Sequence, residues 1–121
     1  AAAQAAYLAH GWNRLLTAVD ARMDQIYWCA YEVENKLVSP LFAEELTLPQ
    51  TCHAVTQGEW YGIGDGWNQS RNQLIEHLGV EPRVVEPERT PTAEAVLCLA
   101  KDRFKRGDWV SAQDALPVYL R

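Results

Sequence analysis

Cysteine is scarce. The three residues, Cys29, Cys52 and Cys98, stand far apart, and no Cys-x-x-Cys pair occurs. An odd, scattered set argues against a disulfide framework or a Cys-x-x-Cys zinc or redox site, and fits reduced thiols in a cytoplasmic protein. Long apolar runs are missing too, none approaching the roughly 20 residues of a membrane helix, so no membrane partner is expected. Positive charge is in deficit: 11 Lys and Arg against 16 Asp and Glu leave a net charge of -5. Such a chain gains nothing from releasing the counterions of a phosphate backbone, which argues against direct, unaided nucleic-acid binding. The histidines, His10, His53 and His77, are isolated, with neither H-E-x-x-H nor H-x-x-x-H among them, so no metal site is expected. There is no G-x-S-x-G nucleophile elbow and no Gly-Lys-Ser/Thr of a Walker loop. The opening Ala-Ala-Ala-Gln-Ala-Ala carries no Met, no capping residue and no charged leader ahead of an apolar core. It reads as the inside of a helix, and the expectation is a fragment of a longer protein.

What is present suffices for one domain. The 121 residues are 48% apolar and 22% charged, an ordinary globular balance with enough chain to bury a core without staples. Residues 1–10 are Ala-rich and read as a helix closed by Gly11. The apolar run 14–20 fits a strand covered on both faces. Residues 25–33 form a second strand, with Ile26 and Trp28 on one face and Tyr27, Cys29 and Tyr31 on the other. After a turn at 34–36, a third strand spans 37–42, with Pro40 marking an edge. The three form an antiparallel meander.

A short helix is expected at 49–57, a strand at 59–64, a turn at 65–68, and a helix over 69–78 stopped by Gly79. A short strand at 83–85 precedes a Pro-and-charge linker. Thr90 and Pro91 then open the last helix, with Ala93, Val96, Leu97, Ala100 and Phe104 on one stripe. Lys101, Arg103, Lys105 and Arg106 suit its carboxyl end, and Gly107 ends it. The tail from Trp109 onward is irregular and apolar enough to pack. The order after the first helix, β-β-β-α-β-α-β-α, is that of a ribonuclease-H-like α/β domain with a mixed five-stranded sheet and helices on its faces.

Two stretches invite a chemical reading. In V-D-A-R-M-D, Asp20 and Asp24 carry oxygen ligands for a hard cation, and Arg22 forks onto phosphate or carboxylate. A solvated turn with a weak Asp–Arg pair explains the same residues. In Gly62-Ile63-Gly64-Asp65-Gly66-Trp67, glycines between strand and helix permit close approach of a phosphate or sugar; a tight strand-to-helix exit explains them as well. The five tryptophans are core or interface candidates. Trp28 with Tyr27 and Tyr31 exceeds what one sheet face needs, so part of that set is a candidate contact with another lobe or subunit.

The blocks A-V-D-A-R-M-D-Q-I-Y-W-C-A-Y, G-I-G-D-G-W and A-L-P-V-Y-L-R follow in that order. Together they resemble the second lobe of the bacterial TsaB (YeaZ) family, over essentially the whole chain. The D-A-R-M block and the P-x-Y-L-R tail are the specific parts; the glycine run alone is weak. The resemblance implies a two-lobe, actin/Hsp70-like ATPase fold, with residues 1–121 as the second lobe and the first lobe absent. It implies a non-catalytic subunit that acts with TsaD and the ATPase TsaE to place threonylcarbamoyl on adenosine 37 of tRNAs reading codons that start with A. Contact with tRNA would be indirect, and a homodimer would form through the missing first lobe. No cofactor is implied for this chain; ATP or ADP would belong to the full complex. On the ATPase plan, Asp20-Ala21-Arg22 takes the place of the second phosphate loop, and Gly62, Gly64 and Gly66 that of the adenosine loop. Met23 and Asp24 do not supply a Gly-rich tip there, so the cleft reads as degenerate. The alternatives are a weak ATP-binding, ATPase-like protein and, from an older family label, an M22-type glycoprotease-like enzyme.

Overall fold

The structure, a computed structural model, describes residues 1–105. Helix α1 (Ala2–His10) is built on alanine, the best helix former, and closes where the Gly11 N–H donates to the Tyr7 carbonyl at 2.7 Å. Strands β1 (Arg14–Asp20) and β2 (Ile26–Glu34) pair antiparallel along their length, from Arg14 opposite Glu32 to Asp20 opposite Ile26. Strand β3 (Leu37–Pro40) continues the meander along the outer half of β2. Strand β4 (Glu45–Thr47) pairs with the other half, Trp28 opposite Glu45. Strand β5 (Tyr61–Ile63) lies parallel to β1, and β6 (Val85–Glu86) parallel to β5. The order is β3-β2-β1-β5-β6, with β4 beside β3 on the free edge of β2. Helices α2 (Gly66–Leu78) and α3 (Ala93–Lys105) complete the described chain. This is the mixed sheet of a ribonuclease-H-like lobe, five strand positions wide, the outermost shared by two short strands.

The sheet is covered on both faces, which is why β1 reads as a continuous apolar run. Leu16 and Ala18 face α2 with Ile26, Trp28, Trp67 and Leu74; Leu15 and Ile63 face α1 with Ala3 and Ala6. The aromatic face split expected for β2 is found: Ile26 and Trp28 lie in the first cluster and Tyr31 packs against the second. Three tryptophans are fully buried, and each indole N–H finds a backbone carbonyl: Trp28 that of His53, Trp60 that of Thr56, Trp67 that of Leu16. Buried Gln4 acts as a miniature strand partner, donating to the Lys36 carbonyl at 3.0 Å and accepting from the Val38 N–H at 2.8 Å. It thereby pins α1 to the β2–β3 turn.

Several expected elements differ in extent. The strand placed at 37–42 stops at Pro40, whose nitrogen carries no proton for a ladder; the chain bends and resumes as β4. The helix placed at 49–57 is a single 3-10 turn, Pro49–Thr51. Beyond it, side chains claim the carbonyls a helix would need: His77 takes that of Cys52, Trp28 that of His53 and Trp60 that of Thr56. Strand 59–64 is trimmed to β5. Helix α2 starts at Gly66, not residue 69, and the strand placed at 83–85 is β6, which starts two residues later and ends one later. Helix α3 starts at Ala93, capped by the Thr92 hydroxyl accepting from the Ala95 N–H at 3.1 Å, not by Thr90. Its buried residue is Ala95, whereas Val96, Leu97 and Phe104 of the expected stripe are 51%, 53% and 70% exposed. Arg106, Gly107 and the tail lie outside the described residues.

Candidate functional site at the β1–β2 hairpin

In sheets with parallel strands, ligand crevices open at the strands' carboxyl ends. Here β1 and β5 are neighbouring parallel strands, and their carboxyl ends meet the β1–β2 hairpin and the start of α2. A cleft of about 420 Å³ lies there, lined by Asp20, Asp24, Gln25, Ile26, Leu48, Gln50, Gly66, Gln69, Ser70 and Gln73. Of the predicted site residues, Asp20, Asp24 and Gly66 line it, whereas Arg22, Gly62 and Gly64 do not.

The hairpin tip has an unusual backbone. Arg22, Met23 and Asp24 all lie in the left-handed region, at φ 71°, 55° and 62°. Such residues cost of order 1–3 kcal/mol each unless the surroundings hold them. Three hydrogen bonds do so: the Ala21 N–H to the Gln25 carbonyl, the Gln25 N–H to the Arg22 carbonyl, both 3.0 Å, and the Arg22 N–H to Asp20 Oδ1, 3.0 Å. Met23 projects from this tip, 79% exposed.

The glycines have a close-packing explanation. A Cβ on Gly62 would stand 3.0 Å from the Trp67 ring and from Val85 Cγ2. One on Gly64, at φ 105°, would stand 2.3 Å from the Ala18 carbonyl oxygen, and one on Gly66 2.8 Å from it. The strand-to-helix exit is thus laid directly on the β1 backbone. That approach carries Asp65 over to the hairpin, where its Oδ1 accepts from the Asp20 N–H at 2.8 Å. Asp65 makes no side-chain cap within its own helix. Sequence reasoning placed Asp65 only in a turn and overlooked Gln25, Gln50, Gln69, Ser70 and Gln73. Glutamines spaced four apart on a helix were the available signal for the 69/73 pair.

The cleft walls carry two carboxylates and four amides and, among the described residues, no lysine or arginine. Phosphate recognition relies on cationic or densely clustered backbone donors, and these walls offer neither. Among the described residues, no cluster of three or more His, Cys, Asp and Glu is placed to hold a metal ion. The histidines are dispersed: His10 bonds Glu86, His53 stacks on Phe42, and His77 bonds the Cys52 carbonyl. Burial pushes the Cys29 thiol up, and that of Cys52 up to about 12, so neither is a ready thiolate.

Away from the cleft, a polar clasp joins α1 to β6. His10 Nε2 stands 3.0 Å from Glu86 Oε2, and Arg89 holds both Glu86 oxygens at 3.0 and 3.2 Å. The Arg89 guanidinium, chiefly, and His10 beside it hold the Glu86 carboxyl below its ordinary range against partial burial. His10 stacks on Trp12, and Trp12 on Tyr61.

The sheet order and the crevice at the ends of β1 and β5 define a lobe of the actin-like ATPase fold, with a cleft whose described residues include no phosphate-binding cation. No family model matches the sequence. The chain is 36% identical to the tRNA threonylcarbamoyladenosine biosynthesis protein TsaB of Escherichia coli (strain K12), over 98% of this chain and 52% of that protein. Two solved structures agree. One is an uncharacterized protein with similarity to peptidase YeaZ from Pseudomonas aeruginosa, with TM-score 0.85 and 34% identity over 98% of this chain and 54% of that one. The other is YeaZ from Pseudomonas aeruginosa, with TM-score 0.84 and 33% identity over the same shares. The chain is thus related in sequence and fold to the TsaB/YeaZ proteins, and it spans about half the length of the relatives it matches.

Proposed function

We propose that this chain is the second, C-terminal lobe of a two-lobe protein that serves tRNA threonylcarbamoyladenosine biosynthesis. In this reading it is a non-catalytic scaffold. It works with TsaD and TsaE in the cytoplasm, meets tRNA only indirectly, and dimerises through the first lobe. The observation that carries the reading is the match to TsaB over 98% of the chain. What supports the non-catalytic part is that Asp20 and Arg22 are engaged in holding the hairpin, and that Gly62, Gly64 and Gly66 serve the close packing of the strand-to-helix exit. ATP or ADP then belongs to the assembled complex and not to this lobe.

The test is genetic and chemical. Disrupting the gene of the full-length protein is expected to remove threonylcarbamoyladenosine from digested tRNA, read by mass spectrometry, and a plasmid copy is expected to restore it. Unchanged nucleoside content overturns the proposal.

The alternative is a weak ATP-binding, ATPase-like lobe, favoured by the fold alone. Calorimetry of the chain with Mg-ATP separates the two: a saturable heat at millimolar nucleotide supports the alternative. The peptidase similarity attached to one Pseudomonas structure suggests a hydrolase, yet the described residues offer neither a reactive thiol at Cys29 or Cys52 nor a metal cluster.

A further inference from the structure

Two backbone N–H groups at the mouth of the crevice are already occupied by carboxylates of the chain itself. The Asp20 N–H donates to Asp65 Oδ1 at 2.8 Å, and the Arg22 N–H donates to Asp20 Oδ1 at 3.0 Å. Asp65 precedes the first residue of α2, where a carboxylate ordinarily caps its own helix. It makes no such bond and reaches across to the hairpin instead. Gly64 and Gly66 make that reach possible, because only their lack of a Cβ lets the start of α2 lie against Ala18. The left-handed run at Arg22, Met23 and Asp24 begins at the second of the two held N–H groups.

We propose that Asp65 and Asp20 are built-in anions. They take the amide positions that a phosphate would use, clasp the β1–β2 hairpin to α2, and close the crevice to nucleotides. An arriving phosphate has to displace both carboxylates from these amides, and among the described residues no cationic side chain lines the cleft to offset the loss. Asp65 is the positioning residue, holding the strand end, while Asp20 holds the tip. The inference rests on the reading of this cleft as one that holds no nucleotide, and it names the residues that make it so.

The experiment is a titration of the full 121-residue chain, nitrogen-15-labelled, with inorganic pyrophosphate and separately with Mg-ADP. The readouts are the backbone amide resonances of Asp20 and Arg22. The wild type is expected to show no saturable shift at millimolar ligand. Asp65→Asn keeps an acceptor oxygen for the Asp20 amide and is expected to stay closed. The double variant Asp20→Ala/Asp65→Ala frees both amides and is expected to bind pyrophosphate about tenfold or more tighter than the wild type, with an affinity that falls as salt rises. The Trp67 indole N–H resonance, which reports the bond to Leu16, checks that each variant is folded; should the double variant lose it, Asp65→Ala alone carries the same expectation for the Asp20 amide. A saturable shift in the wild type overturns the proposal, as does a folded variant with freed amides that stays silent. Opening in Asp65→Asn equal to that in the double variant also overturns it, since charge and not amide occupancy would then be the barrier. A wild type that binds pyrophosphate strikes the clasp, whereas unchanged tRNA nucleoside content after gene disruption strikes the functional reading, so the two failures are told apart.

Discussion

At the scale of the residue, Gly64 has the narrowest tolerance in the hairpin region. Its φ of 105° lies where side-chain-bearing residues are strained, and an added Cβ would press on the Ala18 backbone. Gly62→Ala instead crowds the Trp67 ring and a Val85 methyl, side-chain atoms that would have to shift by a few tenths of an ångström. Chemical denaturation should therefore rank the two: Gly64→Ala costs about 3 kcal/mol or more, Gly62→Ala about 1–2 kcal/mol. Equal midpoints for the two variants would show that the exit loop can lift from β1. The two glycines read alike in sequence. Only the register, with Gly62 opposite Leu16 and Gly64 just past the paired segment, separates a strand glycine from a turn glycine.

At the scale of the element, α3 contrasts most with its own sequence pattern. A stripe of Val96, Leu97, Ala100 and Phe104 has a regular apolar period, yet the helix turns small Ala95 inward. A close approach to α1, itself built of alanines on its buried side, leaves little room for a larger residue. Ala95→Leu is therefore expected to destabilise by about 1–3 kcal/mol through overpacking, and Leu97→Ser to stay within about 0.5 kcal/mol, as exposed positions do. Thermal melts of both variants check this; the reverse order would mean that α3 docks by its large residues. The rest of the element map was mostly legible. The sheet strands with strong apolar runs, β1 and β2, and the glycine stops of α1 and α2 were readable because local chemistry and tertiary role agree there. Residues 49–57 were not, because the carbonyls of Cys52, His53 and Thr56 are claimed by His77 and Trp28, distant in the sequence, and by Trp60, which turns back just ahead of β5. The hairpin was legible as a candidate site, but the Asp65 bond that shapes it joins residues 45 positions apart, and no local pattern reports such a pair.

At the scale of the whole molecule, the Glu86 clasp couples stability to pH. Its carboxyl titrates below the ordinary value of 4.5 in the fold, Arg89 being the main cause. The unfolded chain therefore takes up this proton first. The stabilisation is fully present above that ordinary value and is lost as pH falls through it toward the lower folded value. Urea midpoints measured from neutral into the acid range should drop, and the drop should shrink in Glu86→Gln. A variant with an unchanged slope would assign acid sensitivity to other carboxylates. Because the clasp spans α1 and β6, its loss is expected to loosen the free edge of the sheet before the α2 side. Hydrogen exchange at the Gly64 N–H, which bonds the Glu86 carbonyl, compared with that of Leu74 in α2 resolves that order.

The packing of Trp28 against Trp67 gives the lobe an optical signature. Their rings, one on β2 and one on α2, lie 6.2 Å apart at 59°, a separation and tilt at which indole transitions couple excitonically. The far-ultraviolet circular dichroism should then carry a paired band from the two chromophores, superimposed on the helical signal. Trp28→Phe and Trp67→Phe should each abolish the whole band, not halve it. Followed during refolding, the band times the docking of α2 onto the sheet separately from helix formation, so one spectrum distinguishes a formed helix from a seated one.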